Sequence, residues 1–350
     1  MRIFHRFGFL VHMALAISAV CAFSATETLA AGEKKIRILL VETMPVPVVT
    51  DHSQWFVRQL EELGYEDKKN MDLIILKVNG DKKRGEHLLK QELKQARPDL
   101  VATCATLASQ IAHDLLHEKD IPQIFFTVSD PVGAGLIKEI GKPTHNHITG
   151  VVHMIERKTR INMAMRLLEN RKKQGRVKIG FIHSTYPSSV GDLKQLQLAT
   201  AGRKDIEFVP YGLDYREMPK GLDPMLSDVK KGIQSLQGRV DFWWEPSGPL
   251  GELLAYTRLL LEKSNIPVIM GTKLESVRLG ALFHLTPDPE SSGREAALMA
   301  DAVLKGLHPG NISVKPPQSI SLGINITTAL AQGIVIPPDI LSLAGDQVYR

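Results

Sequence analysis

Short apolar runs alternate with amphipathic segments from residue 34 almost to the end of the chain. The apolar runs are rich in β-branched and aromatic residues, which is typical of buried parallel strands. The predicted strands are residues 36–41, 73–78, 100–103 and 124–128 in a first series, and 177–182, 206–211, 240–244 and 267–270 in a second. Segments with a 3.6-residue period predict the intervening helices at 54–63, 85–96, 107–117, 161–168, 193–201, 228–236 and 252–263.

This alternation predicts an α/β fold with parallel sheets that are covered by helices on both faces. The strands form two series, and a chain of 350 residues exceeds the usual size of one domain. We therefore expect two doubly wound, Rossmann-like lobes, with a crossover between them near Gly150.

The segment 121–136 is the most informative for function, because a buried strand there breaks into a polar turn with two glycines. In open α/β sheets, ligands bind just beyond the carboxyl ends of the strands. Ser129 and Asp130 follow this strand, and Ala105 and Thr106 follow the preceding one. These four residues are the first-lobe candidates for ligand contacts, although Asp130 is equally suited to capping the next segment.

The same rule selects candidates in the second lobe. Ser184, Ser188 and Ser189 follow one strand, and their hydroxyls fit either a ligand or a helix N-terminus. Trp244 ends the next strand, where it is predicted to form an apolar wall of the cleft or to pack under a helix. The remaining candidates after this strand and the following one are Glu245, Ser247, Gly271 and Thr272.

The amino terminus has the pattern of an export signal. Positive residues precede an apolar run at 7–23, and small residues follow it, so residues 1–30 are predicted to be a cleaved signal peptide. A retained anchor and a lipoprotein modified at Cys21 are the alternatives. After cleavage Cys104 is the one remaining cysteine, which excludes an intramolecular disulfide and fits a small buried side chain.

Composition and motifs argue against several classes of function. The 43 basic and 38 acidic residues are mixed along the chain without an aromatic-interleaved basic stripe, so nucleic acid is not an expected partner. His113 and His117 share a helix face, and His145 and His147 a loop, but neither pair has a further metal ligand at motif spacing. No nucleophile elbow, phosphate loop or paired-acid motif appears. We therefore predict no metal, no cofactor and no enzymatic activity.

Several segments together resemble the solute-binding proteins of ABC transporters, in the family that includes tryptophan and tyrosine binders. The similar segments occur in a characteristic order and spacing over nearly all of the mature chain. They are residues 98–106, 121–136, 148–151, 293–306 and 324–341.

The resemblance implies a type I periplasmic binding fold, with two lobes joined by three crossing strands as a hinge. It assigns residues 34–150 and 281–310 to the first lobe, and residues 151–280 and 311–350 to the second. It also supports the first-lobe candidates, although the family usually has glycine where this chain has Ala105. Amino-acid binders commonly carry an acid near the position of Ser247, so the resemblance leaves an α-amino acid ligand in doubt.

The function that the resemblance implies is an exported, periplasmic receptor of an ABC importer. Such a receptor closes its lobes on one small solute, amino acid-like or a small carboxylate or aromatic compound, and then docks as a monomer on a membrane permease. A periplasmic sensor subunit, a Rossmann-like enzyme and a ligand-sensing transcription factor share this architecture. The export signal and the lack of a DNA-binding module argue against the last of these.

Overall fold

A computed structural model describes residues 35–171 and 175–350. The predicted signal peptide at residues 1–30 lies outside the described residues. Within the described residues no helix is both long and apolar enough to cross a bilayer.

The first lobe is built on a five-stranded parallel sheet with the strand order β2-β1-β3-β4-β5. Its strands are β1 (Ile36–Glu42), β2 (Met71–Lys77), β3 (Leu100–Cys104), β4 (Gln123–Val128) and β5 (Ile148–Val152). Its helices are α1 (Pro47–Glu62), α2 (Lys82–Gln95) and α3 (Thr106–Leu116), together with α9 (Pro289–Leu304) from late in the chain. Strands β1, β3 and β4 are almost completely buried, because helices cover both faces of the sheet.

The second lobe is built on a seven-stranded sheet with the strand order β12-β11-β10-β9-β8-β6-β7. Its strands are β6 (Val177–Ser184), β7 (Ile206–Leu213), β8 (Phe242–Trp244), β9 (Val268–Gly271), β10 (Phe283–Pro287), β11 (Ile320–Asn325) and β12 (Val348–Tyr349). Its helices are α4 (Arg157–Leu167), α5 (Pro187–Thr200), α6 (Leu222–Leu236), α7 (Leu254–Lys263), α8 (Leu274–Leu279), α10 (Ile326–Ala331) and α11 (Pro338–Ala344). Among the strand pairs that the structure describes, β10–β11 alone is antiparallel. The predicted α/β class with two doubly wound lobes is confirmed.

Within residues 35–171 and 175–350, three segments pass between the lobes, and they lie side by side. The first follows β5, the second joins β10 to α9, and the third is residues 313–319. The third segment is hydrogen-bonded to both others, since Val152 N donates to Lys315 O at 2.9 Å and Asp288 N donates to Ser319 O at 3.0 Å.

The lobe boundary at residue 281 differs from the expected one. Strand β10 pairs with β9 and β11 in the second sheet, whereas α9 packs against α1, β4 and β5 of the first lobe. The predicted first-lobe segment 281–310 is therefore divided between the lobes. Gly293 permits the close packing of α9 on α1, because a Cβ there would lie 2.6 Å from the carbonyl oxygen of His52.

Helix α1 also starts earlier than the pattern predicted, at Pro47 instead of near residue 54. Proline suits the first helical position, because the amide hydrogen that it lacks would have no partner there. The early start brings Val48 and Val49 to the end of β1, where they contribute to the site described next.

Candidate ligand-binding site between the lobes

A cavity of about 670 Å³, including the part that is open to solvent, lies between the two lobes. Three first-lobe strand ends contribute to it. The turn after β1 and the start of α1 supply Thr43, Met44, Val48 and Val49, the turn after β3 supplies Ala105 and Thr106, and the end of β4 supplies Thr127 and Ser129. The wall therefore combines hydroxyl groups with aliphatic side chains, as is common for small-molecule sites.

Two of these wall residues have backbone angles that L-residues rarely adopt. Ala105 has φ 74° and ψ 167°, and Thr127 has φ 61°. The first pair of angles lies in a region that is normally occupied by glycine, and such strain tends to be retained where function requires the geometry. The bend at Ala105 ends β3 and starts α3 at Thr106, so the helix N-terminus faces the cavity.

The second-lobe wall is formed by the residues that follow β6, β8 and β9. Tyr186 and Ser188 follow β6, while Ser247, Gly248 and Pro249 follow β8 and Thr272 follows β9. Two hydrogen bonds fix the loop after β8: Ser247 N donates to Asp192 Oδ2 at 2.9 Å, and Ser189 Oγ donates to Ser247 O at 2.6 Å. This loop is therefore positioned by buried side chains of α5.

His153, Arg160 and Thr286 line one part of the cavity, which we call the crossing end because it adjoins the segments that join the lobes. Arg160 is 5% exposed, and burial lowers its pKa to about 9, with a further contribution from the charge of Arg157. Burial also lowers the pKa of His153 well below its ordinary value, and nearby His52 and Arg160 lower it further. At neutral pH the crossing end therefore contains a neutral imidazole and a charged guanidinium.

Glu252 contributes a carboxyl group to the cavity wall. Its Oε2 is buried and has no hydrogen-bond partner among the described residues. Burial raises the pKa of this carboxyl to about 7, although the charge of Lys273 acts in the opposite direction. Glu252 can therefore accept a hydrogen bond from a ligand or carry a proton itself near neutral pH.

The two lobes also touch each other next to the cavity. Tyr186, from the second lobe, is 4% exposed and belongs to the buried apolar cluster of the first lobe. Its ring packs edge-on against Tyr215 at 4.7 Å. On another side, Gln195 Nε2 of α5 donates to Asp130 Oδ2 of the first lobe at 3.1 Å. These contacts join the lobes beside the cavity, in addition to the three chain segments that cross between them.

The structure brings half of the residues selected from the sequence to this cavity. These are Ala105, Thr106, Ser129, Ser188, Ser247 and Thr272. Asp130 lies beside it, in an outer part of the cleft that also includes Thr106, Ser129 and Ser188. Its Oδ1 accepts from Gly133 N at 2.8 Å, so it does cap its own turn, as the alternative interpretation held.

The other five selected residues serve the interior of the second lobe. Trp244 does not form a wall of the cleft; it is 1% exposed and packs edge-on against Phe208 and Phe283. Glu245 is fully buried and accepts hydrogen bonds from Thr257, Thr272 and Ser276. The three small residues also do not line the cavity. Ser184 Oγ accepts a hydrogen bond from Tyr186 N, Ser189 Oγ donates to Ser247 O, and Gly271 packs against Ser276.

Several cavity residues were not selected from the sequence. Thr43 follows β1, so the rule of carboxyl strand ends was sufficient to find it. Arg160 lies in a run of charged residues that has the appearance of a solvated helix face, and this run contains no signal for burial. His153, Thr286 and Glu252 depend on how the lobes meet, which the local pattern does not encode.

The histidine pairs lie elsewhere. His113 stacks on His147 at 5.0 Å, and neither lines the cavity. In the part of the chain that the structure describes, no group of three His, Cys, Asp or Glu side chains is arranged to hold a metal ion.

Comparison with known proteins points to one family. The profile of the family of ABC transporter substrate binding proteins matches residues 42–242 and 250–348. A tyrosine-binding protein of Clostridioides difficile is 27% identical over 302 residues, which cover 86% of this chain and 81% of that protein.

Two solved structures share the fold. A conserved domain protein from Vibrio cholerae has a TM-score of 0.75 at 22% identity, covering 91% of this chain and 100% of that one. The ABC domain of Streptococcus pneumoniae in complex with L-Trp has a TM-score of 0.73 at 22% identity, covering 90% and 100%. The family match spans both lobes and most of the residues around the cavity. The chain therefore belongs to the ABC transporter substrate binding proteins, a family of solute binders without enzymatic activity.

Proposed function

We propose that this protein is the extracytoplasmic receptor of an ABC importer and that it captures one small solute by closing its lobes. The observation that carries the proposal is the cavity to which both lobes contribute strand ends. A solute in this position contacts both lobes at once, so its binding free energy favours the state in which they meet. The tyrosine and tryptophan ligands of the similar proteins indicate the size of solute to test first.

The closure part of the proposal rests on Tyr186. Because this ring is buried against the first lobe, separation of the lobes exposes it to water. Burial of an aromatic side chain contributes about 1.5–3 kcal/mol, which is enough to influence an equilibrium between open and closed states. Tyr186 and the solute then stabilise the same closed arrangement.

A direct test measures both the binding of solutes and the compactness of the protein. Amino acids, their analogues and small carboxylates are screened by thermal shift, and small-angle X-ray scattering of the purified protein is measured with and without each hit. We expect a rise in melting temperature and a smaller radius of gyration with the cognate solute. Tyr186→Ala should weaken this compaction, whereas Tyr349→Ala, at a residue that contacts Arg278 within the second lobe, should not.

Uptake measurements test the importer role separately. Cells that lack the gene should take up less of the labelled solute, and wild-type protein should restore the uptake. Normal uptake without the gene, despite tight binding by the purified protein, would contradict the importer role. Absence of any bound solute would contradict the receptor function itself.

A further inference from the structure

Arg160 is a buried cation that makes no direct ion pair among the described residues, although the charge of Asp192 acts on it. Its side chain lines the cavity, and its Nε is buried without a hydrogen-bond partner. Arg157, one turn earlier on α4, does have a direct partner, because its Nη2 lies 2.6 Å from Asp192 Oδ1 and its Nε donates to the same oxygen at 2.7 Å. The one carboxylate next to both arginines is thus held by Arg157.

An unpaired buried guanidinium is energetically costly. Transfer of a charge from water into a protein interior costs several kcal/mol unless a partner of opposite charge is present. Arginine cannot escape this cost by losing its proton at neutral pH, even with its pKa lowered to about 9. A ligand with a negatively charged group would remove this cost by pairing with the guanidinium in the cavity.

His153 adds a second donor at the same end of the cavity. Its Nδ1 is buried and without a partner, and its ring lies edge-on to that of His52 at 4.7 Å. The charged and titratable groups that act on His153 from the packed elements are His52 on α1, Arg157 and Arg160 on α4, and His284 on β10. None of them is an acid, and the carboxylate that acts on Arg160, that of Asp192, is already paired with Arg157.

Glu252 occupies a separate part of the wall. The charges that act on it are those of Lys273, Glu245, Glu275 and Asp51, and Arg160 is not among them. Glu252 therefore does not neutralise Arg160. Its unpaired Oε2 can instead accept a hydrogen bond from a donor elsewhere on the ligand.

We propose that Arg160 and His153 form an anion subsite and that the transported solute is an organic carboxylate whose carboxyl group binds there. The guanidinium fork matches a carboxylate in geometry and charge, and aliphatic residues such as Val48 and Val49 contact the body of the solute. This inference rests on the proposed receptor function and narrows it: neutral polyols and amines leave Arg160 unpaired and are rejected.

The test uses matched pairs of compounds that differ only in the carboxylate. L-tyrosine, L-leucine and 4-methylpentanoate are compared with L-tyrosinamide, L-leucinamide and 4-methylpentanamide by isothermal titration calorimetry, and compounds captured from a dialysed cell extract are identified by native mass spectrometry. We expect every bound compound to contain a carboxylate and its amide to bind at least about 100-fold more weakly, as loss of a charge-assisted hydrogen-bonded pair predicts.

Two variants distinguish a role of Arg160 in ligand binding from a purely structural role. Arg160→Gln should lose about 100-fold in affinity for the carboxylate, while its melting temperature without ligand stays equal or rises, because an unpaired buried charge is removed. A purely structural arginine would instead lose stability when replaced. Arg166→Gln is the matched control, since Arg166 lies on the same helix, is half-exposed and pairs with Asp339.

The results distinguish this inference from the receptor function. Equal binding of acid and amide, a captured solute without a carboxylate, or unchanged affinity in Arg160→Gln would overturn the anion subsite and leave the receptor function standing. If neither the compounds nor the extract yields a bound solute, both ideas fail together.

Discussion

Arg157 and Asp192 form an ion pair inside the second lobe, with side chains that are 3% and 1% exposed. The pair joins α4 to α5, and Asp192 also accepts a hydrogen bond from the backbone of Ser247 at the cavity. Burial by itself raises the pKa of the Asp192 carboxyl, but the charges of Arg157 and Arg160 outweigh this and hold its pKa below the ordinary value. The pair is therefore part of the framework that positions the loop after β8.

Asp192→Asn should be strongly destabilising, because it leaves the Arg157 guanidinium buried without a counterion. The expected loss in the free energy of unfolding is about 3–5 kcal/mol, measured by urea denaturation. The exposed pair between Arg166 and Asp339 provides the control, and Asp339→Asn should cost less than about 1 kcal/mol. Similar losses in both variants would mean that burial does not determine the strength of these pairs.

Ala105→Gly should stabilise the protein, because Ala105 has backbone angles that favour glycine. Relief of the strain contributes about 1–3 kcal/mol, and the greater freedom of glycine in the unfolded chain removes part of it, so a net gain of about 1 kcal/mol is expected. Ala112→Gly, in the middle of α3, should instead lose about 1 kcal/mol. Chemical denaturation of both variants checks the prediction, which a loss of stability in Ala105→Gly would contradict.

Trp244→Phe should lower stability without changing solute affinity. Its ring packs against Phe208 and Phe283 in the core of the second lobe, so a smaller ring leaves a void and costs about 1–3 kcal/mol. Urea denaturation measures the loss in the free energy of unfolding, and isothermal titration calorimetry of the folded variant measures its affinity for the solute. A specific drop in affinity at unchanged stability would restore the interpretation of Trp244 as a cleft wall.

Acid should destabilise the protein partly through His52. Burial, only partly opposed by the carbonyl of Val48, lowers the pKa of His52 to about 4 from 6.5. As the pH falls from 6.5 towards 4, the unfolded chain takes up a proton that the folded chain does not, so stability is present at higher pH and lost in this window. The contribution is at most about 1.4 kcal/mol per pH unit.

Urea denaturation between pH 7 and pH 4 checks this expectation. The stability of His52→Leu should depend less on pH than that of the wild type. His87→Leu, on the exposed face of α2, should follow the wild-type profile. Identical pH profiles for His52→Leu and the wild type would show that this imidazole does not contribute to acid unfolding.

The alternating pattern was sufficient to predict the fold class, because buried parallel strands and amphipathic helices each leave a local signature. It did not assign β10 to its sheet, since Phe283–Pro287 looks like any buried strand and only its partners β9 and β11 decide where it lies. Likewise, the start of α1 at Pro47 depended on a single residue that also fits a loop.

For the site, the rule of carboxyl strand ends found Thr106, Ser129 and Ser188 but also selected Ser184 and Trp244, which are buried in the second lobe. The rule identifies an edge of the sheet and does not tell which side chains at that edge point into the lobe. Arg160 was missed for a different reason. A charged residue on a helix is usually solvated, but Arg160 is buried and lies on α4, a helix that packs against α5.

The packing of α9 on the first lobe has a consequence for how the protein is made. Helix α9 covers α1, β4 and β5, yet it lies more than 130 residues beyond β5 in the chain, after most of the second lobe. The first lobe thus has an uncovered apolar face throughout most of translation. Neither lobe corresponds to one continuous stretch of polypeptide, so a nascent chain that stops before residue 289 contains two incomplete lobes. Both lobes can be completed only after the segment from residue 289 onward has been synthesised.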